Sequence, residues 1–131
     1  MIGLDTNILV RYLAQDDPAQ SRLATEVMER RLSEANPGFI SVVAIVEAVL
    51  VLDRAYGLSH PDIAAAIEGI LQADNLMVEN EQEVFTAMLA LKERRGAFAD
   101  ALIEARGARA GCACTLTFDK AALALPGFKL P

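Results

Sequence analysis

The sequence predicts an α/β fold, a three-layer α/β/α sandwich around a central parallel sheet of four to five strands. Four short β-like runs, Ile2 to Leu4, Phe39 to Ser41, Leu76 to Val78 and Ala113 to Phe118, are separated by segments long enough for helices. That spacing is the pattern of βα units around a parallel sheet. A fifth run, Phe128 to Leu130, adds an edge. The length, 131 residues, suits one core that buries roughly two-thirds of the unfolded surface, so a single domain over residues 1–131 is expected.

Each intervening segment supports a helix. Pro18 in QDDPAQ follows a plausible cap, Asp17, and starts a helix through Leu23, Val27 and Met28. Asn36-Pro37-Gly38 supplies the stop before the second strand. The run after Ser41, SVVAIVEAVLVL, is rich in β-branched residues that would also suit a strand. Its length, with a strand already placed at Phe39 to Ser41, favours a helix that is apolar nearly all round and mostly buried. Asp62 to Gln72 carries Ile63, Ile67, Ile70 and Leu71 at helical spacing, and Glu81 to Arg95 carries Val84, Met88 and Leu91 likewise. Asp100, in GAFADALIEA, opens the helix that leads to the fourth strand.

Composition excludes several function classes. The chain is 53% hydrophobic, yet no apolar run approaches the ~18 residues of a membrane span, so a soluble protein is expected. The start MIGLDTN has neither the basic region nor the apolar segment of a secretory signal, which points to the cytoplasm. Cys112 and Cys114 lie too close for an easy disulfide and have no second Cys or His cluster to complete a zinc site. They are expected as small core residues of a strand. The net charge of −6 argues against broad attraction to nucleic acid, though it allows a local basic patch or a cation-filled acidic pocket.

The acids are the informative residues. In a doubly wound sheet, functional groups gather beyond the carboxyl ends of the strands. Asp5 directly follows the first strand, Glu47 lies on the helix after the second, and Asp119 directly follows the fourth. Asp100 precedes that strand on its helix. An Asp ahead of a helix is also what an N-cap requires, a role worth about 1 kcal/mol. Capping does not explain Glu47, an isolated carboxylate among valines, alanines and leucines whose burial would cost several kcal/mol unless compensated. Converging carboxylates repel one another unless a divalent cation neutralises them. Oxygen-only donors suit Mg²⁺ or Mn²⁺, and such a site activates water against a phosphodiester.

The stretches LDTNILVRYL, SVVAIVEAVLVLDRAYGL, FADALIEARGARAGC and TLTFDKAALALPGFKL, in that order, resemble the PIN-domain family. Within it they look most like the VapC-type toxins of bacterial toxin–antitoxin pairs. The resemblance implies that Asp5, Glu47, Asp100 and Asp119 form an acidic tetrad that holds Mg²⁺ or Mn²⁺ and positions the attacking water. It places Asn7 beside the first acid, and Thr6 and Thr117 at small hydroxyl positions that orient carboxylates or waters. Turn and cap chemistry would equally account for Thr6 and Asn7. The resemblance further implies an endoribonuclease, an RNA substrate, a cognate antitoxin protein that holds it inactive, and a homodimer. Candidate RNA-contacting cations are Arg11, Lys92, Arg94, Arg95 and Lys120, which also fit as ordinary solvated charges on helices. His60, the single histidine, reads as a surface residue.

Two rival classes fit less well. An aspartyl-phosphate phosphatase needs a second acid two residues after the first, where this chain has Asn7. A phospho-acceptor signalling domain, receiver-like with an acidic Mg²⁺ pocket, needs an acceptor Asp after a central strand; the third strand is followed by Glu79 and Asn80. A purely structural dimerisation module leaves Glu47 without a purpose.

Overall fold

In the computed structural model, which describes all 131 residues, parallel strands form at every β-like run of the sequence. The chain divides into two units, Met1–Glu81 and Gln82–Pro131.

The first unit is built on β1 (Ile2–Gly3), β2 (Gly38–Ile40) and β3 (Leu76–Val78), in the order β1-β2-β3 with β2 central. Both pairings are parallel, with Gly38 opposite Ile2 on one side and Leu76 on the other. The crossovers are α1 (Thr6–Ala14) with α2 (Pro18–Glu26), then α3 (Val42–Arg54) with α4 (His60–Gln72). Ile40 of β2 and Leu9, Ile45, Leu52, Ile63 and Ile67 of the helices are fully buried, so α4 packs by the face its apolar spacing sets, whereas on α2 Ser21 and Ala24 pack inward and Leu23 is exposed. Gly38 sits in close quarters: a Cβ there would lie 2.8 Å from terminal side-chain carbons of both Leu4 and Leu32, which would have to shift.

The helix starting at Pro18 forms as its signals dictate, with Asp17 accepting the Gln20 N–H at 3.0 Å. Its last stretch, Val27–Arg31, widens into a π-helical turn, and the Asn75 side-chain amide donates to the Met28 carbonyl at 2.8 Å. No sequence signal marked that widening.

The helix after Ser41 is α3, but it is not buried all round. Val42, Ala44, Ile45, Ala48, Val49 and Leu52 pack inward, while Val43, Glu47 and Arg54 are exposed. Positions 43, 47 and 54 share one side at helical spacing, so one stripe stays open whatever its composition.

The second unit contains α5 (Glu81–Lys92), which begins on the last residue of the first, α6 (Phe98–Arg109), β4 (Thr115–Leu116) and β5 (Phe128–Lys129). β4 and β5 pair in parallel, Thr115 opposite Phe128, with a short 3-10 turn at Ala122–Ala124 between them. Val84, Met88 and Leu91 are buried on α5 as their spacing requires. The helix stops at Lys92 rather than reaching Arg95, because Arg94 turns left-handed at φ 56°. The Arg95 N–H then reaches the Ala90 carbonyl at 2.9 Å and the Arg94 N–H the Leu91 carbonyl at 3.1 Å, a Schellman closure. The fourth strand is shorter than the run Ala113 to Phe118, and the cysteines lie outside it. Cys112 is exposed and Cys114 half-buried, both free thiols rather than core residues. No helix is long and apolar enough to cross a membrane.

Candidate active site

The carboxyl edge of the three-stranded sheet gathers acids through local geometry. β1 ends two residues before Asp5, whose extended backbone (φ −81°, ψ 161°) makes it the N-cap of α1. Asp5 Oδ1 accepts the Thr6 N–H at 2.8 Å, while the side chain stays exposed. The Thr6 hydroxyl, itself buried, donates to Glu47 Oε2 at 3.0 Å. Thr6 therefore fastens both acids of this unit, one through its backbone and one through its side chain. The lone carboxylate of the apolar run is not desolvated: Glu47 lies on the open stripe of α3 and leans on Thr6.

The placement of Glu47 depends on how α3 begins. Ser41 caps the helix by accepting the Ala44 N–H at 3.2 Å, and Glu79, just past β3, accepts the Val42 N–H at 2.9 Å. Glu79 thus satisfies a free N–H at the helix start and sets an anion against its positive end. The sequence reading missed this role. The available signal was an acid immediately beyond the strand that neighbours the one feeding the helix.

In the second unit, Asp100 is half-buried in the first turn of α6. Ala97, not Asp100, is the N-cap, with no side-chain capping bond, so the capping role does not apply to Asp100. Desolvation, followed by the charge of Asp119, raises the Asp100 pKa above the ordinary carboxylate value. Asp119 is exposed and shapes its own turn: its N–H donates to the Thr117 hydroxyl at 3.0 Å and its Oδ1 accepts the Ala121 N–H at 2.9 Å. Thr117 therefore orients the backbone at Asp119.

The remaining candidates divide by what engages them. Asn7 is exposed, and with Arg11, Gln20 and Leu23 it lines a groove between α1 and α2. Arg11 is committed within its own unit, donating to Gln20 Oε1 at 2.7 Å, to Asp16 Oδ1 at 3.2 Å and to the Tyr56 hydroxyl at 3.0 Å. Tyr56 in turn donates to Asp16 at 2.7 Å, and that hydrogen bond, ahead of the Arg11 charge, lowers the Asp16 pKa. Arg95 pairs with Glu93 at 2.7 Å. Lys92, Arg94 and Lys120 are exposed, as is His60 at the start of α4.

The donor chemistry fits a hard divalent cation. All four acids offer oxygen, and no Lys or Arg is ion-paired with any of them. Asp100 and Asp119 repel in a way that a cation would relieve. No three or more His, Cys, Asp or Glu side chains gather into a metal-holding group.

A family model described as PIN domain matches residues 2–127, almost the whole chain. The chain belongs to the PIN domain family. PIN domains are generally Mg²⁺-dependent nucleases, so membership suggests a metal-dependent nuclease and disfavours the phosphatase and phospho-acceptor alternatives. The mixed α/β architecture with parallel strands is the PIN-domain fold. No curated protein and no solved structure gives a significant match.

Proposed function

We propose that this PIN domain is a metal-dependent endoribonuclease in which Asp5, Glu47, Asp100 and Asp119 are the metal-holding acids. The observation that carries the reading is Thr6, which fixes Asp5 and Glu47 at the carboxyl edge of the first sheet, where neither is ion-paired with a Lys or Arg. Bound Mg²⁺ or Mn²⁺ would lower the pKa of a water and stabilise charge on the phosphoryl group. The chain's own residues do the positioning. Thr6 holds the Glu47 carboxylate by one oxygen and leaves Oε1 available, and the Ala121 N–H engages only Oδ1 of Asp119. Asn7, exposed beside Asp5, is the polar group for orienting a water or a phosphate oxygen.

The sequence resemblance extends the proposal to a VapC-type toxin that acts on RNA in the cytoplasm as a homodimer and is neutralised by a cognate antitoxin. The α1–α2 groove supports a protein partner, since Ile8, Leu23, Ala24 and Val27 line it and Leu23 is 55% exposed. Arg94 and Lys120 are the more available RNA-contacting cations, because Arg11 and Arg95 already have carboxylate partners.

The test is incubation of the purified protein with single-stranded RNA in Mg²⁺ or Mn²⁺, then with chelator, beside Asp5→Asn and Glu47→Gln. Hydrolysis should require the metal and fall at least about 100-fold in each variant, the scale of losing a group that stabilises the transition state. Hydrolysis that persists in chelator, or in both variants, would remove the metal-nuclease reading.

A further inference from the structure

Phe118 is the most exposed large apolar side chain of the protein, at 87%, and it directly precedes Asp119. We infer that Phe118 is a stacking platform for an unpaired nucleobase of the substrate. The inference rests on the nuclease reading of the site and adds to it a specificity-determining residue.

The chemistry is local to the second unit. Phe118 lies in the bend between β4 and the turn that Thr117 and Asp119 organise, so the backbone beneath the ring is fixed at both ends. Burial of its ring contributes almost nothing to the fold, and a large apolar group left that open gains by covering its faces. Lys120, exposed and without an ion pair, follows one residue after the acid. An aromatic face beside a free cation and a metal-binding acid matches the requirements of single-stranded nucleic acid: a base to stack and a phosphate to neutralise. A second copy of the chain fits less well. Interface cores are depleted in charge, whereas Phe118 is followed at once by Asp119 and Lys120, and the exposed apolar side chains at this strand pair, Leu116 at 61% and Leu130 at 55%, are interleaved with Thr117 and Lys129.

The protein has no tryptophan, so Phe118→Trp installs a single reporter at the platform. The experiment titrates this variant in chelator with a short single-stranded RNA, with an abasic strand of equal length and with a duplex. In parallel, anisotropy measures RNA binding by the wild type, Phe118→Ala, Phe118→Leu and Phe118→Tyr. Stacking should quench the tryptophan with single-stranded RNA only. Phe118→Ala and Phe118→Leu should weaken binding roughly 5- to 100-fold, and Phe118→Tyr should restore it. The melting temperature of Phe118→Ala should match the wild type, since little surface is lost from the core. Three results would overturn the platform: emission unchanged at saturating RNA, wild-type affinity in Phe118→Ala, or an emission shift that follows protein concentration without RNA. Hydrolysis in Mg²⁺ without quenching removes the platform and leaves the nuclease; quenching without hydrolysis removes the nuclease and leaves the platform.

Discussion

Asp100 is subject to opposed forces. The N-terminal dipole of α6 favours its anion, while desolvation and the Asp119 charge favour its proton, and the second pair prevails. A carboxyl whose folded pKa lies above its unfolded value stabilises the fold fully below the ordinary carboxylate pKa, and that contribution is lost as pH rises through the folded value. In chelator, Asp100→Asn should therefore gain melting temperature over the wild type as pH rises from the ordinary carboxylate range toward neutrality. Below that range the difference should become constant. A difference that does not vary with pH would mean that the carboxyl is solvated. Thr6 makes the matching point in the first unit: Thr6→Val deletes the hydroxyl that holds Glu47 yet keeps the volume, so it should impair hydrolysis while Thr6→Ser preserves it. Comparing the two rates in Mg²⁺ checks this. The sequence made Thr6 a candidate because it follows Asp5. Its bond to Glu47, 41 positions away, was not legible, because no local pattern encodes which turn of α3 faces α1.

At the scale of elements, two positions carry measurable backbone demands. Arg94 occupies the left-handed position that closes α5, where glycine carries no Cβ penalty. Arg94→Gly should stabilise the protein by up to about 1 kcal/mol in denaturant unfolding. Gly38 is the reverse case, held between Leu4, Leu32 and Leu76 on the central strand. Gly38→Ala should cost about 1–3 kcal/mol, the usual range for overpacking, with the midpoint of urea unfolding as the readout. Periodicity revealed α4 and α5 well, since Ile63, Ile67 and Ile70, and Val84, Met88 and Leu91, are the residues that pack. It misjudged α3, where Val43 is 62% exposed although its composition matches the buried side. Hydrophobic pattern reports which faces can be buried, and the neighbours decide which ones are. The end of α5 was misjudged for a related reason: a left-handed Arg carries none of the signal that a Gly or Asn would have given.

For the whole molecule, the family match spans both units, although each contributes only part of the proposed acidic set. The placement of Asp5 and Asp119 was legible, because the β-like runs ahead of them do form β1 and β4 and topology puts the residues after strands at the sheet's carboxyl edge. The supporting contacts were not, since Glu79 on the start of α3 and Thr117 on Asp119 depend on turns that the chain sets only when folded. The proposed use of these acids is to hold a divalent cation for phosphodiester hydrolysis. Direct titration with Mn²⁺, followed by electron paramagnetic resonance of the free ion, measures that use without RNA. The wild type should bind Mn²⁺, and Glu47→Gln and Asp100→Asn, one from each unit, should each weaken binding at least about tenfold. Absence of Mn²⁺ binding by the wild type, or wild-type affinity in either variant, would contradict it.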